Sequence, residues 1–128
     1  MSNYAQILHE ARLTAKPVEQ LTASGADISR SQAYEIQESG VILRESDGEK
    51  VIGYKMGLTS EAKRKQMDLD APLYGVLTDK MEITNNGSYS MTGKIHPKAE
   101  PEVAFIFKKE LDDSMTYQEI FEAIKWAA

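Results

Sequence analysis

Two glutamates separated by a single proline are the residues of this chain best suited to binding a metal ion. Glu100 and Glu102 stand directly ahead of the apolar run 103–107, which predicts a buried strand. Side chains two residues apart on a strand point to the same face, so both carboxylates are expected on one side. Two neighbouring negative charges repel each other unless a cation lies between them. Carboxylate oxygens suit a hard divalent ion, so the spacing indicates Mg2+ or Mn2+ as a candidate ligand.

The same spacing is also compatible with a pair of solvated glutamates. Exposure is the usual state of a glutamate, and Glu-x-Glu is a common pattern. Pro101 cannot donate a hydrogen bond to a neighbouring strand, which suits an edge strand or a strand start. The spacing alone therefore leaves both interpretations open. The apolar run that follows favours at least partial burial at this end of the strand.

A second candidate is Lys55, which lies between two glycines at the end of a strand predicted over residues 50–56. Thr59 or Ser60 then caps a short helix. Glycines let a ligand approach the backbone, and a helix N-terminus favours anions, so Lys55 could hold a substrate carboxylate. The equal alternative is a lysine that extends into solvent from a strand end, beside a turn that needs glycine for its geometry.

The remaining polar candidates are weaker. Asp79 closes a short strand predicted over 74–77 and could act as an acid or base, although such a residue more often belongs to a turn. His96 precedes a proline near the glutamate pair and could contact a substrate, although a loop histidine is more often structural or solvated. His9 is interpreted as a surface residue of the first helix. Ser60 has no histidine at a spacing typical of a hydrolase triad.

Composition narrows the class of protein. The chain has 128 residues, 41% hydrophobic and 27% charged, which predicts one soluble domain spanning residues 1–128. The net charge of -5 disfavours nucleic acid as a partner, and the basic triplet 63–65 is interpreted as a solvated helix face. Cysteine is absent, which excludes disulfides and a thiol nucleophile. The chain shows neither a signal-peptide layout nor a membrane-spanning run, so we expect a cytoplasmic protein without a membrane partner.

The elements that must position these residues are helices followed by strands. Apolar spacing predicts a first helix interrupted at Pro17 and a second helix capped by Ser29 or Ser31. A helix over 61–67 follows the first strand. The Asn-Asn-Gly sequence at 85–87 indicates a hairpin.

The end of the chain is predicted to be helical. Thr116 and Glu119 form a capping-box pattern, and an apolar face that includes Ile124 carries the helix to the end of the chain. The aromatic residues expected in the core are Tyr34, Phe105, Phe107 and Trp126. The whole pattern predicts an α+β fold, with N-terminal helices followed by a mixed β-sheet.

Four segments of the chain occur in an order that resembles the hydratase/decarboxylase branch of the fumarylacetoacetate-hydrolase-like superfamily. The segments are AYEIQ at 33–37, GYKMGLTS at 53–60, PLYGVLTDKM at 72–81 and HPKAEPEVAF at 96–105. The branch includes 4-oxalocrotonate decarboxylases and 2-hydroxypenta-2,4-dienoate (2-keto-4-pentenoate) hydratases of catechol meta-cleavage pathways. The segments span most of the chain, and the resemblance implies the N-terminal half of that fold.

The resemblance also implies a site. Members of the branch hold Mg2+ or Mn2+ with three carboxylates, of which Glu100 and Glu102 match two, while the third is expected beyond Ala128. Lys55 matches the active-site lysine, and Asp79 matches a catalytic pocket residue. The substrate-binding residues that the resemblance implies are Leu58, Thr59, Ser60 and His96.

The activity implied by the resemblance is that of a lyase in aromatic hydrocarbon catabolism. Its substrate is a small 2-oxo or 2-hydroxy dienoate, and the expected reaction decarboxylates 2-oxo-3-hexenedioate to 2-hydroxypenta-2,4-dienoate. The segment KMGLTSEAK and the histidine before Pro97 favour a decarboxylase. A hydratase and a non-catalytic remnant of the family stay open as alternatives. We expect a homo-oligomer, or an assembly with a partner decarboxylase or hydratase subunit.

Overall fold

The structure, a computed structural model, describes residues 2–128. Its internal contacts divide the chain into two compact units, residues 1–96 and residues 97–128. The α+β class is confirmed, and both sheets in the described residues are antiparallel pairs of strands. No helix among these residues is long and apolar enough to cross a membrane. The prediction of a single domain is not decided by this division and stays a prediction.

The first unit begins with two long helices. Helix α1 spans Ser2–Thr14 and ends ahead of Pro17, and helix α2 spans Arg30–Ser46, with a short 3-10 helix at Leu21–Ser24 between them. The Ser29 side chain accepts a hydrogen bond from the Gln32 backbone, and the Gln32 side chain accepts one from the Ser29 backbone. Ser29 is therefore the cap of α2.

A β-hairpin with a helix in its connection completes the regular part of this unit. Strand β1 spans Val51–Gly57, helix α3 spans Glu61–Gln66 and strand β2 spans Leu73–Thr78. These bounds agree with the predicted elements to within one residue. A 3-10 turn, Asp79–Met81, follows β2 directly.

Three tyrosines join α2 to the hairpin. The rings of Tyr34 on α2 and Tyr74 on β2 are stacked, with centroids 4.6 Å apart, and Tyr54 on β1 meets Tyr74 edge-on at 6.0 Å. The backbone N–H of Tyr74 donates to the Tyr34 hydroxyl at 3.3 Å. Aromatic pairs of this kind add stabilisation beyond the area they bury, so they fix the position of β2 against α2.

The prediction of a hairpin around the Asn-Asn-Gly sequence at 85–87 is wrong. The described residues 82–104 contain no helix or strand, and the Asn-Asn-Gly sequence forms only a turn, in which the Gly87 N–H donates to the Thr84 carbonyl at 2.7 Å. The apolar residues on its flanks are about half-exposed, including Ile83 at 49% and Met91 at 61%. A turn sequence alone does not pair two strands, because an isolated hairpin without a buried face is marginally stable at best.

The second unit consists of a short sheet and one helix. Strand β3 spans Phe105–Phe107, helix α4 spans Tyr117–Ala123 and strand β4 spans Ile124–Ala127. The capping box of Thr116 and Glu119 is confirmed. The prediction that this helix continues to the end of the chain is wrong, because from Ile124 onward the backbone is extended and pairs with β3. Ala104 and Ala128 prolong the pairing through two backbone hydrogen bonds of 2.8 and 2.9 Å.

The prediction of a buried strand at 103–107 is also wrong for the described chain. Phe105 and Phe107 are 51% and 39% exposed, and Trp126, which is paired with Ile106 across the sheet, is 49% exposed. Among residues 97–128 only Ala123 is buried. A two-stranded ribbon with a single short helix offers too little surface to enclose aromatic side chains.

Candidate functional site

Lys55 lies on an open face of the β1–β2 hairpin. Its side chain is exposed, and its Nζ atom lies 3.5 Å from the carbonyl oxygen of Met56. Gly75 is directly opposite on β2, and Gly53 and Gly57 stand two residues before and after it. A Cβ atom added at any of the three would come no closer than 3.8 Å to a neighbouring residue, and none has a left-handed φ. These glycines are therefore not required by packing or by backbone conformation, and they leave the backbone around Lys55 accessible.

The predicted substrate-binding residues Leu58, Thr59 and Ser60 form the loop from β1 to α3. Leu58 has a φ of 54°, a left-handed conformation that residues with a Cβ rarely adopt. Arg64 on α3 donates from Nη1 to the carbonyl oxygens of Leu58 at 3.0 Å and Thr59 at 2.6 Å. Ser60 lies directly before α3, at its N-cap position, yet its side chain forms no capping hydrogen bond.

Arg64 is the residue of this region that the sequence interpretation missed. As part of the basic triplet 63–65 it was expected on a solvated helix face, but it is half-buried and bonded to the loop. The available signal was its place four residues after Ser60, because a long side chain in the first turn of a helix can reach back to the chain that enters it.

Asp79 is tied to the opposite end of β1. The backbone N–H of Lys50 donates to Asp79 Oδ1, and the N–H of Asp79 donates to the Lys50 carbonyl, both at 2.9 Å. The bond from Lys50 is the main reason that the pKa of Asp79 lies below its ordinary value, so this carboxylate is ionised at neutral pH. Lys50 and Lys55 are separated along the strand by roughly 16 Å at the usual rise per residue. The structure therefore does not bring the Asp79 carboxylate to the backbone of Lys55.

The glutamate pair lies in the second unit. Glu100 and Glu102 are exposed and lie in a segment without helix or strand ahead of β3. His96, which belongs to the first unit, is exposed and has a φ of 46°. Among residues 2–128 no cluster of three or more His, Asp or Glu side chains could hold a metal ion. The pair supplies two carboxylates, a donor set whose chemistry suits Mg2+, since this ion is commonly held by one or two carboxylates with waters and substrate oxygens.

A cluster of charged and polar side chains surrounds a buried glutamate elsewhere in the first unit. We call it the Glu49 cluster, and its members are His9, Arg12, Arg44, Asp47, Glu49 and Thr78. Glu49 is only 7% exposed, and it accepts hydrogen bonds from Arg44 at 3.0 Å and from the Thr78 hydroxyl at 2.5 Å. Arg12 Nη1 lies 3.1 Å from its other oxygen. Burial acts to raise the pKa of Glu49, but the Thr78 bond and the two arginines outweigh it and hold the pKa below the ordinary value.

His9 belongs to this cluster, so its interpretation as a surface residue is wrong. It is 8% exposed, and its Nε2 atom lies 3.0 Å from Asp47 Oδ2. The histidine on α1 thus contacts the turn after α2, while Glu49 joins the two helices to the end of β2. The helical spacing of α1 could not show this contact, because its partner is far away in the sequence.

Comparison with known proteins gives related sequences along the whole chain. No protein-family profile matches it. A 2-hydroxyhexa-2,4-dienoate hydratase of Comamonas testosteroni is 36% identical over 126 residues, which cover 96% of this chain and 48% of the hydratase. A 4-oxalocrotonate decarboxylase of a Pseudomonas species is 34% identical over 128 residues, which cover 100% of this chain and 50% of the decarboxylase. The chain spans about half the length of these curated relatives.

Comparison with solved structures finds the same kind of protein as comparison of sequences. A 4-oxalocrotonate decarboxylase from Pseudomonas putida G7, complexed with calcium and acetate, matches with a TM-score of 0.89 and 29% identity, over 98% of this chain and 49% of that one. The same enzyme complexed with magnesium and adipate matches with a TM-score of 0.82 and 27% identity, over 98% of this chain and 48% of that one. The resemblance predicted from the four segments is confirmed: the chain is a homologue of the 4-oxalocrotonate decarboxylases and 2-keto-4-pentenoate hydratases, aligned with about half of their length.

Proposed function

We propose that this chain forms part of a metal-dependent lyase that decarboxylates 2-oxo-3-hexenedioate (4-oxalocrotonate) to 2-hydroxypenta-2,4-dienoate. The observation that carries the proposal is the match of almost the whole chain, in sequence and in fold, to a decarboxylase complexed with magnesium and adipate. Adipate is a saturated dicarboxylate with the same carbon chain length as 2-oxo-3-hexenedioate. A relative that binds this compound supports a substrate with a carboxylate at each end.

The reaction needs stabilisation of negative charge. The bond between the distal carboxylate and the adjacent methylene carbon breaks, and carbon dioxide leaves. The electron pair is delocalised through the conjugated double bond to the 2-oxo oxygen, which gains a proton to give the 2-hydroxydienoate. A bound Mg2+ or Mn2+ would supply Lewis acidity toward that oxygen. Glu100 and Glu102 are the residues of this chain that we propose as its ligands.

Lys55 is proposed to bind a substrate carboxylate. Its ammonium group carries the complementary charge, and the glycines around it leave room for a flat conjugated molecule to approach the sheet. An ammonium group held near a carboxylate also orients the substrate for the bond cleavage.

The residues of the β1–α3 loop, together with His96, are proposed to complete the substrate contacts. Leu58, Thr59 and Ser60 lie in the loop itself, and His96 is the further contact implied by the resemblance. Asp79 is proposed as a catalytic pocket residue. Because its pKa is lowered by the Lys50 backbone, it would act as an ionised acceptor instead of a proton donor.

A hydratase is the second candidate, and a specific observation favours it. The Comamonas testosteroni relative, 36% identical, is a 2-hydroxyhexa-2,4-dienoate hydratase. Such an enzyme adds water to a dienoate of the kind that the decarboxylase produces. Product analysis separates the two candidates, because decarboxylation releases carbon dioxide from 2-oxo-3-hexenedioate, whereas hydration consumes 2-hydroxypenta-2,4-dienoate without releasing it.

The decisive experiment compares the purified chain with its Glu102→Gln variant in the presence of Mg2+. Turnover of both substrates and binding of Mn2+ are measured, and Glu110→Gln serves as the matched control because Glu110 is an exposed glutamate of the same unit. We expect Glu102→Gln to weaken metal binding and turnover by roughly 100-fold or more. Unchanged metal binding and turnover would overturn the metal-site assignment, and an inactive wild-type chain would favour a non-catalytic remnant.

The last two properties that we propose are the oligomeric state and the cellular localisation. We propose a homo-oligomer, or an assembly with a partner decarboxylase or hydratase subunit, in the cytoplasm. Light scattering of the purified chain measures its mass in solution and separates a monomer from an oligomer.

A further inference from the structure

We propose that Arg64 is a positioning residue that holds the β1–α3 loop in the conformation in which Thr59 and Ser60 meet the substrate. This inference rests on the proposed function, because it assigns the loop to the recognition of a dicarboxylate. It adds a residue that lies outside the predicted site and acts through the backbone of its neighbours.

The contacts of Arg64 are directed at the loop backbone. Its Nη1 atom donates to two consecutive carbonyl oxygens, Leu58 O at 3.0 Å and Thr59 O at 2.6 Å. Hydrogen bonds from a charged donor are stronger than neutral ones. The backbone of Arg64 is itself held by α3, where its N–H donates to Ser60 O at 3.0 Å. One residue therefore links all three residues of the loop to the helix.

The loop needs such a restraint because Leu58 is left-handed. A φ of 54° is unfavourable for a residue with a Cβ, so it persists only where surrounding contacts determine it. The bond from Arg64 to the Leu58 carbonyl is a contact of this kind. Without it, Leu58 can relax toward the right-handed or extended regions, which redirects Thr59 and Ser60.

The neighbouring basic side chains, Lys63 and Lys65, differ from Arg64 in their contacts. Lys65 lies in the same triplet, but its Nζ atom pairs with Glu61 at 2.7 Å, one turn earlier on the helix. Lys63 is exposed. The contrast gives a control, since replacing Lys63 removes the same charge from the same helix.

The test compares Arg64→Met with Lys63→Met. Methionine keeps an apolar stem at position 64 and lacks donors. Binding of adipate in the presence of Mg2+ is measured by calorimetry, KM and kcat by turnover of 2-oxo-3-hexenedioate, and amide hydrogen exchange reports on residues 58–60. We expect Arg64→Met to weaken adipate binding and raise KM about tenfold, which corresponds to reordering roughly one residue of backbone, with kcat changed much less. Lys63→Met should match the wild type.

A rescue variant and the exchange data separate positioning from general stability. Arg64→Lys retains donors and should recover part of the affinity, while exchange at the loop amides should be faster only in Arg64→Met. Faster exchange with unchanged adipate binding and KM would overturn the inference and leave a purely structural bond. Unchanged exchange would overturn it as well. A wild-type chain that neither binds adipate nor turns over either substrate would instead overturn the proposed function, on which the inference depends.

Discussion

The Glu49 cluster and the Glu100–Glu102 pair place carboxylates in opposite environments. Glu49 is 7% exposed and bonded to two arginines and a threonine, whereas Glu100 and Glu102 are exposed ahead of a short strand. A buried charge must be paired, so the partners of Glu49 are supplied by the fold itself. The exposed pair lies at the surface, where a cation can approach from solution. Burial therefore indicates a structural role for the first group, and exposure is compatible with ligand binding by the second.

The same contrast separates one end of the β1–β2 hairpin from its middle. At one end, the Glu49 cluster joins the helices to the sheet. In the middle, Lys55 is surrounded by glycines, which have no side chains to cover the strands. Substitutions should therefore divide into those that change stability and those that change activity. A substitution that changed both equally would break the comparison.

Among the substitutions in the β1–β2 hairpin and the Glu49 cluster, the largest effect is expected for Lys55→Met. Loss of a charge that stabilises the reacting substrate should reduce kcat/KM roughly 100-fold. The free energy of unfolding should stay within about 0.5 kcal/mol of the wild type, because the side chain is exposed. Turnover of 2-oxo-3-hexenedioate and urea unfolding measure the two quantities, with Lys63→Met as the control. Full activity in the Lys55 variant would remove this residue from the proposed site.

An intermediate effect, on stability, is expected for Glu49→Gln. Glutamine can still accept from Thr78, but it leaves Arg12 and Arg44 without their shared anion. We expect a loss of about 2–3 kcal/mol in the free energy of unfolding, with unchanged kcat per folded molecule. Urea unfolding followed by circular dichroism checks this, and Glu45→Gln, at an exposed position of α2, is the matched control. If the two variants lost the same free energy of unfolding, the burial of Glu49 would not account for its effect on stability.

The same variant has a signature in pH. The pKa of Glu49 is lower in the folded chain than in the unfolded one, so its contribution is complete above the ordinary carboxyl range and is lost as the pH falls through the folded value. Glu49→Gln should therefore flatten the loss of stability in acid. The pH dependence of the free energy of unfolding that remains in this variant comes from other carboxylates with lowered pKa values, such as Asp70, which pairs with Arg30.

The smallest effect is expected for Asp79→Asn, which tests the boundary between the two groups. Asparagine keeps an oxygen that can accept from the Lys50 N–H, so the free energy of unfolding should change little. If Asp79 acts as a charged group in the pocket, turnover should fall about tenfold, the equivalent of a charge interaction across a few ångströms of water. Asp113→Asn, at an exposed site, is the control. Unchanged turnover would assign Asp79 to the structural group alone.

Features that depend on neighbouring residues were predictable from the sequence. Ser29 and Thr116 cap their helices as expected, because a cap needs only the next three residues. Strands β1 and β2 and helix α3 were also predicted to within one residue, since apolar and glycine patterns mark their ends. The four segments that resemble the decarboxylases can likewise be recognised from residues that are close together in the sequence.

Features that depend on distant residues were not predictable. Ile124 continues an apolar helical pattern, yet pairing with Phe107 makes it the start of β4. The helical pattern predicts His9 at the surface, but in the structure it contacts Asp47. The basic triplet predicts Arg64 on a solvated face, but in the structure it donates hydrogen bonds to the loop. In each case the partner is chosen by the path of the chain in space, which the local pattern does not contain.

The sequence by itself determined the family, the helix caps, the approximate bounds of β1 and β2 and the identity of the candidate residues, because these follow from side-chain chemistry at short range. Only the tertiary structure decided which charges are buried and which are exposed. It assigned Glu49 and His9 to a structural cluster, Asp79 to the Lys50 backbone and Arg64 to the β1–α3 loop. The physical reason is that burial and hydrogen bonding depend on what other parts of the chain bring alongside a residue.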